Sequence, residues 1–225
     1  MSADNIEPIE EMAAFFDARA AGYDAYVRDE IFPGLEFAQF YRAFSAPIAK
    51  TGDRLRILDL GCGTGLELEA LFERAPNARI TGVDLAQEMM NLLRARYSAR
   101  LGQITLVSDS FLTMPLRGQA YDYVLSGLAM HHFLRDTKRE LYKKIHAALK
   151  PGGKYVEGDS VIPQDSEAEF LAEYRQDAAS VPPADRPLLR VPAISTSQAD
   201  LERFAPDSPA GLYLAALWAE RHRDA

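Results

Sequence analysis

Apolar side chains along the chain keep two rhythms that alternate. Short segments, the first an almost unbroken apolar run and the others with an apolar centre, read as strands. They occur at residues 57–60, 78–84, 103–109, 121–126 and 154–158. Between them the apolar positions recur in steps of three and four, the period of a helix face. Residues 66–74 place Leu68, Leu71 and Phe72 on one face and glutamates on the other. Residues 87–96 carry Met90 and Leu93, with Tyr97 beyond. A third such segment carries Leu141, Ile145 and Leu149, with Thr137 and Glu140 spaced as a capping box. Pro151-Gly152-Gly153 ends it. Strands alternating with helices predict an α/β fold with a doubly wound, mostly parallel sheet.

Both ends of the chain depart from that alternation. Residues 8–30 set Met12, Phe16, Ala20, Tyr23, Val27 and Ile31 on one helical face, ending at Pro33-Gly34, and residues 35–49 form a second, aromatic-rich helical stretch. Beyond Asp159, residues 166–176 read as a charged helix and 181–183 open a loop. A strand is expected at 188–194. Residues 212–218 would be its partner, although they are rich in helix formers and lack alternation. An incomplete pair here would leave a sheet edge to be covered, or paired with a second copy as in a homodimer.

A chain of 225 residues is most simply one domain with additions. The expected parts are an N-terminal helical lid at 1–50, a core at 51–160 and a completing segment at 161–225. With 25 basic and 33 acidic residues the formal charge is −8. That balance argues against a nucleic-acid backbone as the main partner. The single cysteine, Cys62, builds neither a disulfide framework nor a cysteine-based zinc site, and no metal is expected. No run approaches the ~18 apolar residues of a membrane span. The acidic first residues lack the layout of a signal peptide, so the expected location is cytoplasmic.

The first strand leads into a glycine loop, Ile57-Leu58-Asp59-Leu60-Gly61-Cys62-Gly63-Thr64-Gly65. Leu66 stands where a dinucleotide fingerprint wants its third glycine. Asp59 lies inside an apolar strand, where a carboxylate is costly unless it is partnered. It is expected to fasten the loop or a cationic ligand. Asp84 ends the second strand about 20 residues beyond the loop, where an acid accepts from a ribose diol. The nine-residue stretch resembles motif I of the class I S-adenosylmethionine (SAM)-dependent methyltransferases, residue for residue. Leu-Lys-Pro-Gly-Gly at 149–153 is similar to that superfamily's lead into strand five, and the likeness covers residues 51–159.

This resemblance implies a Rossmann-like sheet of order 3-2-1-4-5, with a reversed hairpin of strands six and seven beyond it. It implies SAM as cofactor and S-adenosylhomocysteine as product. The cofactor would meet Gly61, Cys62, Gly63 and Gly65 at the loop, Asp84 at its ribose, Leu85 at its adenine, and Asp109 with Ser110 at the adenine amino group. Ser126 closes the fourth strand beside it. The segment 16–24 resembles the "FD-x-x-A-x-x-YD" lead-in of small-molecule methyltransferases, which places Tyr23 over the methionine end.

Methyl transfer from a sulfonium needs an acceptor held in line behind the methyl, and a base only if the acceptor keeps its proton. His131 and His132 follow the fourth strand at the end that faces the ligand crevice. The "N/D-P-P-Y/F/W" motif of adenine or glutamine amino-group methylation is absent, since Ser126-Gly127-Leu128-Ala129 stands there. A small-molecule acceptor under a lid is therefore the expected substrate. Two alternatives share parts of this pattern. One is a SAM-binding protein that does not methylate, either because it has lost catalysis or because it makes a modified SAM for tRNA wobble chemistry. The other is a nicotinamide oxidoreductase, which Asp84 would suit but the glycine spacing does not.

Overall fold

The computed structural model describes residues 9–159, 167–184 and 212–214. Three short helices come first: α1 (Ala13–Asp17), α2 (Ala20–Tyr26) and α3 (Glu36–Ser45), with a wide π turn at Val27–Ile31. The alternating core follows as β1 (Arg56–Leu60), α4 (Leu68–Arg74), β2 (Arg79–Asp84), α5 (Gln87–Arg96), β3 (Ile104–Ser108), β4 (Tyr121–Gly127), α6 (Arg135–Ala148) and β5 (Leu149–Gly158). Helix α7 (Glu167–Ser180) and strand β6 (Leu212–Leu214) complete the described elements.

The sheet runs β3-β2-β1-β4-β5-β6. Every pairing is parallel, including β6 on β5. The order 3-2-1-4-5 is the one that the resemblance implies. The sixth strand is not the reversed partner expected, because Leu212 to Leu214 run parallel beside Tyr155 to Glu157. The expected strand at 188–194 and residues 215–218 lie outside the described residues.

Successive strand residues point to opposite faces, and each face has its own core. Ile57, Ile80, Leu125 and Val156 pack with Phe44, Leu71 and Leu93 beneath α3, α4 and α5. Leu58, Leu60, Val83 and Val124 pack with Leu141 and Ile145 beneath α6. Both helical layers are buried against the sheet, as a doubly wound fold requires.

Three carboxylates from the N-terminal region hold it to the core. Residues 8–30 were expected as one helix, but the chain breaks at Ala18 and Arg19. The break lets Asp17 and Asp24 reach different partners. Asp17 Oδ1 accepts the Glu88 N–H at 2.8 Å, capping α5, which has no side-chain cap of its own. Asp24 accepts the Thr64 hydroxyl at 2.6 Å and pairs with Arg96. Glu10 accepts the Leu134 N–H at 2.6 Å and the Thr137 hydroxyl at 2.9 Å. The expected Thr137–Glu140 capping box does not form, since Glu10 supplies the cap and Glu140 pairs with Lys143. Orphan donors at a helix start need an acceptor, and here it comes from elsewhere in the chain.

Candidate active site

The strand order reverses between β1 and β4, and the loops at the carboxyl ends of these strands frame a cleft. The glycine loop is its floor. A Cβ on Gly61 would stand 2.6 Å from that of Ala129, so only glycine lets the β1 and β4 loops approach this closely. Gly63 has φ +45° and would meet nothing nearer than 4.0 Å, leaving its backbone open to a ligand. Gly65 instead packs against Leu93 and Tyr97.

Asp84 closes β2 and binds this loop directly. Its Oδ2 accepts the Gly63 N–H and its Oδ1 accepts the Ala86 N–H, both at 2.8 Å. Burial raises its pKa against the pull of these donors. Each carboxylate oxygen has a second lone pair, so the acid can hold the loop and still accept from a hydroxyl. Beneath the loop, neither oxygen of buried Asp59 has a donor among the described residues, and nor does Glu67 Oε1. Burial is the main cause that lifts Asp59 to about 6 and Glu67 well above its ordinary range. Two buried carboxyls that face each other favour sharing one proton. Glu67 was expected on the polar face of its helix, but it is turned inward.

Ser110, Phe111 and Leu112 form one wall of the cleft, with Leu85 and Met89 beside them. Lys144 Nζ donates to the carbonyls of Phe111, Leu112 and Met114 at 2.8–2.9 Å, which fixes this wall to α6. The N-terminal region supplies the roof through Glu10, Met12, Phe16 and Tyr23.

A second cavity of about 550 Å³ adjoins the cleft, and Phe16, Tyr23, Leu128 and His132 line both. Leu128 has φ 54°, a strained state for leucine that persists only where its surroundings enforce it. Its N–H donates to the Gly158 carbonyl at 2.8 Å. His131 faces the second cavity. Asp159, just past β5, accepts the His131 backbone N–H at 2.8 Å with one oxygen and pairs with ring Nδ1 through the other. No described residue hydrogen-bonds Nε2. The His132 ring lies 3.8 Å from that of His131 and 5.4 Å from Phe16, edge-on to the latter.

A methyltransferase-domain family model matches residues 57–153. An uncharacterized methyltransferase of Geobacillus thermodenitrificans is 30% identical over 75% of this chain and 72% of its own. This chain belongs to the class I SAM-dependent methyltransferases. A demethylmenaquinone methyltransferase of Symbiobacterium thermophilum is 32% identical to it over 63% of this chain and 55% of that protein. The methyltransferase shares its fold with the Haloferax volcanii putative methyltransferase solved with its Trm112 activator, at TM-score 0.61 and 22% identity, covering 86% and 75% of the two chains. Its cofactor is SAM.

The methyltransferase brings Tyr23, Gly61, Gly63, Asp84, Leu85 and Ser110 together around the cleft. It sets the remaining residues behind or beside it. Cys62 is buried, and its sulfur fills the space over Gly82. Ser126 is fully buried and donates to the Leu60 carbonyl at 3.1 Å, tying β4 to β1. Asp109 is exposed and accepts the Ser110 N–H at 2.8 Å. Sequence reasoning missed Glu67, Lys144 and Asp159. The acid ending β5 was the available signal for Asp159, since it mirrors Asp84 at the end of β2. Among the described residues no helix is long and apolar enough to cross a membrane.

Proposed function

We propose that the chain methylates a small molecule held in the second cavity, with His131 as general base. Bound SAM supplies a methyl already activated on a sulfonium. Asp84 holds the ribose hydroxyls, Leu85 and the 110–112 wall flank the adenine, and Gly61 and Gly63 let the ligand lie against the backbone. Asp59 and Glu67, short of donors beneath the loop, suit a ligand that brings positive charge. The helices of residues 10–45 act as a lid, with Tyr23 toward the sulfonium end.

One observation carries the reading: the His131–Asp159 pair opens onto a cavity that shares a wall with the cofactor cleft. An ionised aspartate only accepts hydrogen bonds, so Nδ1 carries the proton and Nε2 is left to take one. Asp159 thereby fixes both the ring and its tautomer. Calorimetry tests the cofactor half: S-adenosylhomocysteine should bind at micromolar concentration and NAD should not. Binding of NAD alone would sink it.

A carboxy-S-adenosyl-L-methionine synthase of Campylobacter fetus is 30% identical over 111 residues, and synthesis of a modified SAM is the second reading. A carboxylated ligand wants a cation beside it. The described lining of the cofactor cleft contains no lysine or arginine, while the adjoining cavity holds Arg19. Mass spectrometry of the ligand that co-purifies separates the two.

A further inference from the structure

The second cavity carries its own chemical signature. Its outer wall is apolar, built by Phe15, Phe16, Tyr26, Val27 and Ile31. Among the described lining residues the only permanent charge is Arg19, and there is no carboxylate. The Arg19 guanidinium lies 3.9 Å over the Phe15 ring and donates to the Phe15 carbonyl at 3.1 Å. One aromatic face is therefore already covered by a cation. A cationic acceptor would meet like charge there, with no counter-charge among the described lining residues.

Gly22 marks the space further. It sits inside α2, where glycine weakens a helix relative to alanine. A Cβ at this position would meet nothing within 4 Å. No packing within the described chain calls for a glycine, and Gly22, exposed on its helix, is part of the cavity lining. A volume of about 550 Å³ lies in the range that holds a small ring compound.

We propose that this cavity is the acceptor site for a hydroxyarene, neutral or anionic, whose ring lies among the aromatic side chains and whose hydroxyl meets His131 Nε2. The inference rests on the methyl-transfer reading above. In the step, the hydroxyl gives its proton to Nε2 and its oxygen bonds the methyl carbon. The carbon–sulfur bond breaks with its electron pair left on sulfur. The products are an aryl methyl ether, S-adenosylhomocysteine and a proton that His131 later releases to water.

The test uses the full chain loaded with S-adenosylhomocysteine, titrated in a calorimeter with 2-naphthol and with dimethylaminoethanol, a cationic acceptor. We expect 2-naphthol to bind and dimethylaminoethanol not to. Gly22→Leu should weaken 2-naphthol at least tenfold while S-adenosylhomocysteine affinity stays within twofold. Ile31→Trp, which narrows the cavity from a different position, should do the same if the first variant folds poorly. With SAM, 2-naphthol should become 2-methoxynaphthalene by mass spectrometry. Failure of 2-naphthol to bind the loaded protein overturns the proposal, as does binding of dimethylaminoethanol in its place, or unchanged 2-naphthol affinity in both variants. Failure of S-adenosylhomocysteine to bind at the outset overturns the methyl-transfer reading with it.

Discussion

At the scale of single residues, carboxylates decide most of what the site can do. Asp84 holds the backbone of the glycine loop, and in the proposed function it holds the ribose as well. Asp84→Ala should weaken S-adenosylhomocysteine by about 1.5–3 kcal/mol, the range for hydrogen bonds to a charged group. It should also lower the melting temperature, because Gly63 and Ala86 lose their acceptor. Burial holds Asp59 up to about 6 and Glu157 up to about 7, against an ordinary carboxyl near ~4. A raised pKa favours the neutral form in the fold, so its stabilisation is complete below about pH 4 and lost as pH rises through those values. The ligand-free protein should therefore melt at lower temperature as pH goes from about 5 to about 8. Asp59→Asn should flatten the lower part of that fall, and an unchanged pH profile would count against the buried acid. His131→Ala should cut kcat by about 10²–10⁴-fold, as loss of a general base does, with S-adenosylhomocysteine affinity kept. An active His131→Ala enzyme would remove the base from the mechanism.

Elements were legible in proportion to how local their signals are. The strands have apolar centres and the glycine loop is a contiguous spelling, so β1 to β5 and the loop at the floor of the cleft could be read directly. Helix α5 falls at residues 87–96 as its periodicity predicts. What stayed hidden depends on partners far along the chain. Glu67 looks like a surface glutamate until the loop folds over it. The cap of α6 cannot be read near α6, since Glu10 supplies it. The break between α1 and α2 interrupts an apolar face that by itself would continue as one helix. Lys144 looks like an ordinary polar-face lysine, yet it gathers three carbonyls of the cleft wall. Lys144→Met should leave those carbonyls short of a donor. A stability loss of roughly 1–3 kcal/mol is expected, together with weaker S-adenosylhomocysteine binding. Denaturant melts and calorimetry of the variant check both.

For the molecule as a whole, the division of labour runs between a sheet that is packed on both faces and an N-terminal region docked by three acids. Hydrogen exchange with and without S-adenosylhomocysteine should show added protection across residues 10–45 as well as 59–65. Protection at 59–65 alone would leave the N-terminal helices as a fixed cover. The π turn at Val27–Ile31 separates the helices that roof the cleft from α3, whose Phe40 and Phe44 are buried. The Phe32 N–H donates to the Val27 carbonyl at 2.9 Å and closes the turn, and Arg28, Asp29 and Glu30 stand in solvent. Such a turn is a weak point in an otherwise helical run, and Arg28 is a tryptic site. If the N-terminal helices lift when the cofactor leaves, trypsin should nick at Arg28 faster in the free protein than with S-adenosylhomocysteine bound.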